Sequence, residues 1–103
     1  MAPAAPVFDA LVHAPQRLQI CAILARGGEV EFGTLRDALD VSDATLSKHL
    51  KLLTDAAYVE LRRVARDRGH ARTWVALSRS GRRALDGHFA FLQSLAPDGE
   101  TPS

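Results

Sequence analysis

The run from Phe32 to Leu77 constrains this chain more than any other stretch. It holds two short amphipathic segments, Phe32–Leu39 and Ser42–Leu53, joined by a tight turn at Asp40-Val41. A hairpin pattern follows at once, and its tip is crowded with arginine: Arg62, Arg63, Arg66, Arg68 and Arg72. A helix pair followed by a cationic ribbon sets a polar helix face beside a row of positive charge. A helix of that kind can enter a nucleic-acid groove while the ribbon neutralises the flanking phosphates.

The charge distribution sharpens this reading. The net charge is only +1, but it is unevenly spread. Residues 1–47 carry three arginines against six acids, residues 48–83 carry ten cations against three acids, and residues 84–103 carry three acids and no cation. A cationic middle of that density suits a polyanionic partner. Arginine outnumbers lysine 11 to 2, which also fits GC-rich coding, so no single arginine is functional on count alone. With 103 residues the chain has room for one domain and a modest core. Its one cysteine, Cys21, leaves no partner for an internal disulfide. No apolar run approaches the roughly 18 residues a membrane span needs, and no basic-then-apolar leader pattern opens the chain. A soluble cytoplasmic protein is expected.

Met1–Pro6 is rich in alanine and proline, so residues 1–7 are expected to form a loose tail. Phe8, Leu11 and Val12 share one face of a short helix. Pro15 suits the first position of the next, where its missing N–H costs nothing. That helix is predicted to run to about Arg26, ended by Gly27-Gly28, with Val30-Glu31 as a very short strand. In the second segment of the pair, Ser42 is a good N-cap and Asp43 favours the positive helix end. There Leu46, Leu50 and Leu53 point one way, whereas Ala44, Ser47, Lys48 and Lys51 point the other, with Thr45 at the flank. Small and hydroxyl side chains permit close approach to base edges, and ammonium groups meet phosphates. Tyr58–Val64 and Arg72–Leu77 read as two strands, with Val59 and Leu61 alternating toward the same face as Val75 and Leu77. Ser78 or Ser80 caps a last helix through about Leu95. Its stripe of Ala84, Leu85, His88, Leu92 and Leu95, broadened by Phe89 and Phe91, is wider than one small domain readily covers. Residues 97–103 are expected to be a second loose tail, leaving one domain over residues 8–96.

These residues carry a family likeness. His13-Ala14-Pro15-Gln16-Arg17-Leu18, then Leu35-Arg36-Asp37-Ala38-Leu39 with Thr45-Leu46-Ser47-Lys48-His49-Leu50-Lys51-Leu52-Leu53, then Thr73-Trp74-Val75-Ala76-Leu77-Ser78-Arg79-Ser80-Gly81-Arg82, resemble winged helix-turn-helix regulators of the MarR/ArsR type. The chain looks most similar to the small stand-alone MarR-like subgroup. The resemblance implies an α+β, mainly helical fold, with a helix-turn-helix, a small antiparallel sheet and flanking dimerisation helices. It implies a homodimeric, double-stranded-DNA-binding transcription regulator, most simply a repressor. On this likeness Ala44, Thr45, Ser47, Lys48, His49 and Lys51 would serve the recognition helix at 42–54. Arg63, Arg66, Arg68, His70 and Arg72 would serve the wing. Phe8, Leu11, Val12, Leu85, His88, Phe89, Leu92 and Leu95 would form the dimer interface. Two positions depart from the family pattern, because Asp40 and Ala57 stand where glycine is usual. Alanine in a left-handed conformation costs roughly 1 kcal/mol.

Other chemistry finds less support. Cys21, His13, His49, His70 and His88 show no ligand spacing, so no metal or other cofactor is expected. Cys21 lies on an apolar stripe and reads as a buried structural residue rather than a redox switch. His88 reads as core or interface, with pH sensing the lesser alternative. No nucleophile–base order, phosphate loop or carboxylate pair suggests an enzyme. Trp74 is expected to pack on the domain rather than stack on single strands. A small apolar effector between the first and last helices would add to a regulator's function. The competing class is a winged-helix module that docks protein and binds no DNA.

Overall fold

Helix boundaries fall where side-chain chemistry sets them. The computed structural model describes residues 4–65 and 71–97. They form α1 (Ala10–His13), α2 (Pro15–Gly27), β1 (Glu29–Glu31), α3 (Phe32–Leu39), α4 (Asp43–Asp55), β2 (Val59–Val64), β3 (Arg72–Leu77) and α5 (Arg79–Leu95). Pro15 opens α2, and Gly28 closes it with φ 73° while its N–H bonds back to the Leu24 carbonyl. Ser42 caps α4 by accepting from the Thr45 N–H, and Ser78 caps α5 by accepting from the Gly81 N–H.

The two helices of the central pair end alike. Asp40 takes φ 55°, its N–H reaches the Asp37 carbonyl, and the Val41 N–H reaches the Arg36 carbonyl. Ala57 takes φ 63°, its N–H reaches the Thr54 carbonyl, and the Tyr58 N–H reaches the Leu53 carbonyl. Each is a Schellman ending, with the left-handed residue just past the helix. The two sites flagged by sequence as glycine departures are therefore the two non-glycine residues with positive φ among the described residues.

The sheet is antiparallel, ordered β1-β3-β2, with Leu61 opposite Val75 and Arg63 opposite Thr73. Val59 and Val75 face the core. Leu61 does not bury as its alternation suggested. It remains 49% exposed, because it lies one pair further from the domain than Val59 and lines a groove beside α4 instead. The core joins Ile20, Cys21 and Leu24 of α2, Leu35 of α3, Leu46, Leu50 and Leu53 of α4, and Leu85 of α5. Each buried leucine contributes about 1.5–3 kcal/mol. The surface pair Lys51–Asp55 on α4 contributes at most about 0.5 kcal/mol. The inward leucines therefore fix where α4 sits. Burial pushes the Cys21 thiol up to about 11, Asp9 adding to the effect, so it stays protonated and inert at neutral pH.

The segment before α1 folds back on α5 and alters two sequence expectations. Val7, assigned to a loose tail, donates its N–H to the Gly87 carbonyl. The Phe8 ring lies 5.0 Å from the His13 and His88 rings and 5.4 Å from Phe91. The Asp9 N–H donates to His88 Nδ1, so His88 Nε2 carries the proton and donates to His13 Nδ1 at 3.0 Å. Burial, reinforced by His13, lowers the His88 pKa. Val12, Leu85 and His88 are thereby sealed inside the protomer, and they have no surface left for the dimer interface in which sequence placed them. The C-terminal tail, apart from Pro97, lies outside the described residues.

One junction orients the ribbon. The Ala57 carbonyl accepts from both Ser78 Oγ, at 2.6 Å, and Ser80 Oγ, at 2.8 Å. The Tyr58 carbonyl accepts from the Ser78 N–H. A Cβ on Gly81 would stand 2.0 Å from that same Tyr58 oxygen, so the approach of α5 to the start of β2 requires glycine. Opposite outcomes follow for two small substitutions in chemical denaturation. Ala57→Gly relieves the left-handed strain and raises stability by about 1 kcal/mol. Gly81→Ala forces backbone apart and lowers it by about 3 kcal/mol or prevents folding.

Candidate nucleic-acid interface

The outward face of α4 is built from residues its inward leucines leave free. Ala44, Ser47, Lys48 and Lys51 are exposed, and Thr45 is half-buried beside the cap, where its Oγ1 accepts from Ser42 Oγ. Asp43, at the positive end of α4, is held at 2.8 Å by Arg36 of α3, which also contacts Asp37. These two carboxylates raise the Arg36 pKa and keep the guanidinium charged. The bridge spans the turn and offsets the negative charge that Asp43 would otherwise bring to the face.

The ribbon lies on the same side. Ser47 and Lys51 of α4, Arg63 of β2 and Thr73 of β3 line one shallow groove of about 270 Å³, floored by Phe32, Leu50 and Leu61. Ser47, an exposed hydroxyl, opens into it rather than into the core. Strand alternation separates the ribbon's arginines. Arg63 shares the α4 side with Thr73, whereas Arg62 and Arg72 fall on the other face, opposite Trp74 and Val64. Arg62 is further committed there. Its Nε and Nη2 each donate to a Glu29 carboxylate oxygen at 2.7 Å, reaching across β3 to β1. This pairing holds the Glu29 carboxyl below its usual range. The structure therefore gathers Ser47, Lys51 and Arg63 around one groove, with Lys48 exposed on the same helix, and does not bring Arg72 to it. Arg66, Arg68 and His70 lie outside the described residues.

His49, expected among the DNA contacts, is turned toward α2. Its Nε2–H donates to Gln16 Oε1 at 2.8 Å, and its Nδ1 accepts from Arg17 Nη1 at 3.2 Å. A guanidinium cannot accept, so that contact fixes the ring's tautomer. Burial lowers the His49 pKa first, and the cations of Arg17 and Lys48 lower it further. Gln16 and Arg17 were read only as part of a helix entry. Their adjacency at the start of α2 was visible, but their partner 32 and 33 residues away was not.

Of the residues expected at a dimer interface, Phe8, Phe89 and Leu95 are exposed, and Leu11 and Leu92 are half-buried. A separate, mostly apolar cavity of about 580 Å³ lies between the N-terminal segment and α5. Val7, Ala84 and Gly87 line it, together with Tyr58 and Arg83. Tyr58 donates its hydroxyl to Asp9 at 2.5 Å, which pushes the phenol up to about 12. Among the described residues, no cluster of three or more His, Cys, Asp or Glu is placed to hold a metal. Among them, too, no helix is long and apolar enough to cross a membrane.

This architecture is shared with known proteins. A transcriptional regulator homologue from Pyrococcus horikoshii OT3 superposes with a TM-score of 0.77 at 24% identity, over 82% of this chain and 83% of that one. A MarR family regulator from Silicibacter pomeroyi superposes at 0.62 with 26% identity, over 86% of this chain and 64% of that one. Bacillus subtilis PadR, solved in complex with operator DNA, superposes at 0.59 with 21% identity, and this chain spans 54% of its length. No curated protein sequence matches the chain. The winged helix DNA-binding domain family matches residues 16–96, from the first turn of α2 past the end of α5. The chain belongs to that winged helix DNA-binding domain family, with α4 in the position of the recognition helix and β2–β3 in that of the wing.

Proposed function

We propose that this protein is a sequence-specific transcription regulator that binds duplex DNA as a homodimer, acting in the cytoplasm as a repressor by occupying its operator. The observation that carries this reading is the shared groove, which sets the exposed hydroxyl and ammonium of α4 beside the wing arginine Arg63. Ala44, Thr45, Ser47 and Lys48 would approach base edges or nearby phosphates in the major groove, and Lys51 and Arg63 the flanking phosphates. The exchangeable surface pair Lys51–Asp55 is weak enough to yield to a phosphate. Two copies would pair through Phe8, Phe89, Leu92 and Leu95, placing recognition helices one helical turn, about 34 Å, apart on a near-palindromic site. The cavity beneath the N-terminal segment, with Arg83 at its wall, offers an apolar effector a place next to that interface. The protein would work by binding, with no catalytic step.

Fluorescence anisotropy with the chain's own upstream DNA tests this reading. Lys48→Ala and Arg63→Ala should each weaken binding and soften the log–log salt slope by about 0.9, the value for one lost phosphate contact. Arg62→Ala should leave the slope unchanged, because that guanidinium is spent on Glu29. Salt-insensitive failure to bind any duplex, joined to tight capture of a protein, would favour the docking-module alternative. Sedimentation at micromolar concentration should give the mass of two chains. A one-chain mass would remove the homodimer from the proposal.

A further inference from the structure

His49 sits in the middle of α4, yet both its ring nitrogens are engaged by α2. Arg17 does more than touch it. Its Nε also donates to the Leu11 carbonyl of α1 at 2.7 Å, a carbonyl near a helix end without an intrahelical partner. The guanidinium thus bridges the backbone of α1 and the imidazole of α4. Leucines at 46, 50 and 53 hold α4 against the core, but apolar packing is non-directional and tolerates rotation of a helix about its own axis. A two-point polar contact to one ring is directional and sets that rotation. It sets, in turn, where Ser47 and Lys48, the two residues before His49, point.

The contact has a protonation requirement. Nδ1 must be an unprotonated acceptor for Arg17 while Nε2–H donates to Gln16. A proton on Nδ1 would face the Arg17 donor directly, and the two cations nearest the ring, Arg17 on α2 and Lys48 on α4, both oppose it. Resting on the DNA-binding reading of α4, we propose that Gln16 and Arg17 position the recognition helix through His49, and that α4 presents its operator-reading face only while that imidazole is neutral. His49 is a positioning residue here and makes no DNA contact. The sign is defined. A histidine with a depressed folded pKa gives its full contribution above its ordinary value of 6.5 and loses it as the pH falls through the folded pKa. A histidine on a phosphate would behave oppositely, because protonation would tighten its grip.

The test compares operator with non-specific duplex by anisotropy at pH 7.5 and 5.5, for wild type, His49→Ala, His49→Gln and Arg17→Ala. Losing a hydrogen bond to a charged group makes the expected change about tenfold. Wild type should lose about tenfold in its operator-to-non-specific ratio on acidification. His49→Ala should show that loss already at pH 7.5 and change little further. His49→Gln keeps a donor for Gln16 and an acceptor for Arg17 without titrating, and should retain the ratio at both pH values. Arg17→Ala and His49→Ala should be non-additive when combined, and neither should alter the salt slope. A wild-type ratio for His49→Ala, a softened salt slope for it, or tighter wild-type operator binding in acid would overturn the inference. Should wild type bind no duplex at all, the DNA reading fails by itself. ¹⁵N imidazole shifts then decide the clamp. Protonated Nε2 and bare Nδ1, lost in Arg17→Ala, support it, and any other tautomer, or no change on that substitution, overturns it.

Discussion

The relative placement of helix and ribbon depends on one backbone junction. The carbonyls of Ala57 and Tyr58 receive the Ser78 and Ser80 hydroxyls and the Ser78 N–H, while Gly81 lets α5 approach within contact of the same peptide. α4 ends at this point, β2 begins there, and α5 starts against it. Without it the ribbon would be tied to α4 only through a left-handed Ala57, a conformation alanine disfavours. Three hydrogen bonds, at about 0.5–1.5 kcal/mol each, more than offset the roughly 1 kcal/mol of strain. The face that joins α4 to Arg63 is a consequence of that balance.

Polar side chains in this small domain divide between two tasks. Some stay free on the outer face, as do Ser47, Lys48 and Arg63. Others are spent inside the chain: Arg62 on Glu29, Arg36 on Asp43, Arg17 on Leu11 and His49, and Arg82 on the Ala25 carbonyl at the end of α2. The cationic middle stretch therefore overstates the charge available to a polyanion. Several of its arginines lock helix ends and strands in place, and the positive face is narrower than the composition suggests.

Much of this was legible in the sequence, and the reason is local. Pro15, Gly27-Gly28, Ser42 and Ser78 act on their own neighbours within four residues, so their positions alone located the ends of α2 and the starts of α4 and α5. The strained sites at Asp40 and Ala57 were legible for the same reason. What the sequence did not reveal was which partner each helix stripe meets. Val12, Leu85 and His88 lie on the expected stripes, but the segment around Phe8 and Asp9 folds over α5 from 79 residues away and seals them inside. His49 looked equally fit for packing or for a phosphate, because nothing near it in sequence announces Gln16 and Arg17. Strand alternation correctly paired Val59 with Val75's face, but it could not say that the core ends before Leu61.

The central claim is that α4 and the ribbon form one duplex-binding face, and amide chemical-shift mapping on titration with duplex DNA tests it most directly. The account predicts perturbations concentrated at residues 44–51 and at Arg63 and Thr73 together, at the same DNA concentration, with residues 89–95 of α5 unaffected by the duplex. Shifts confined to α5, or a response of α4 without the ribbon, would contradict it.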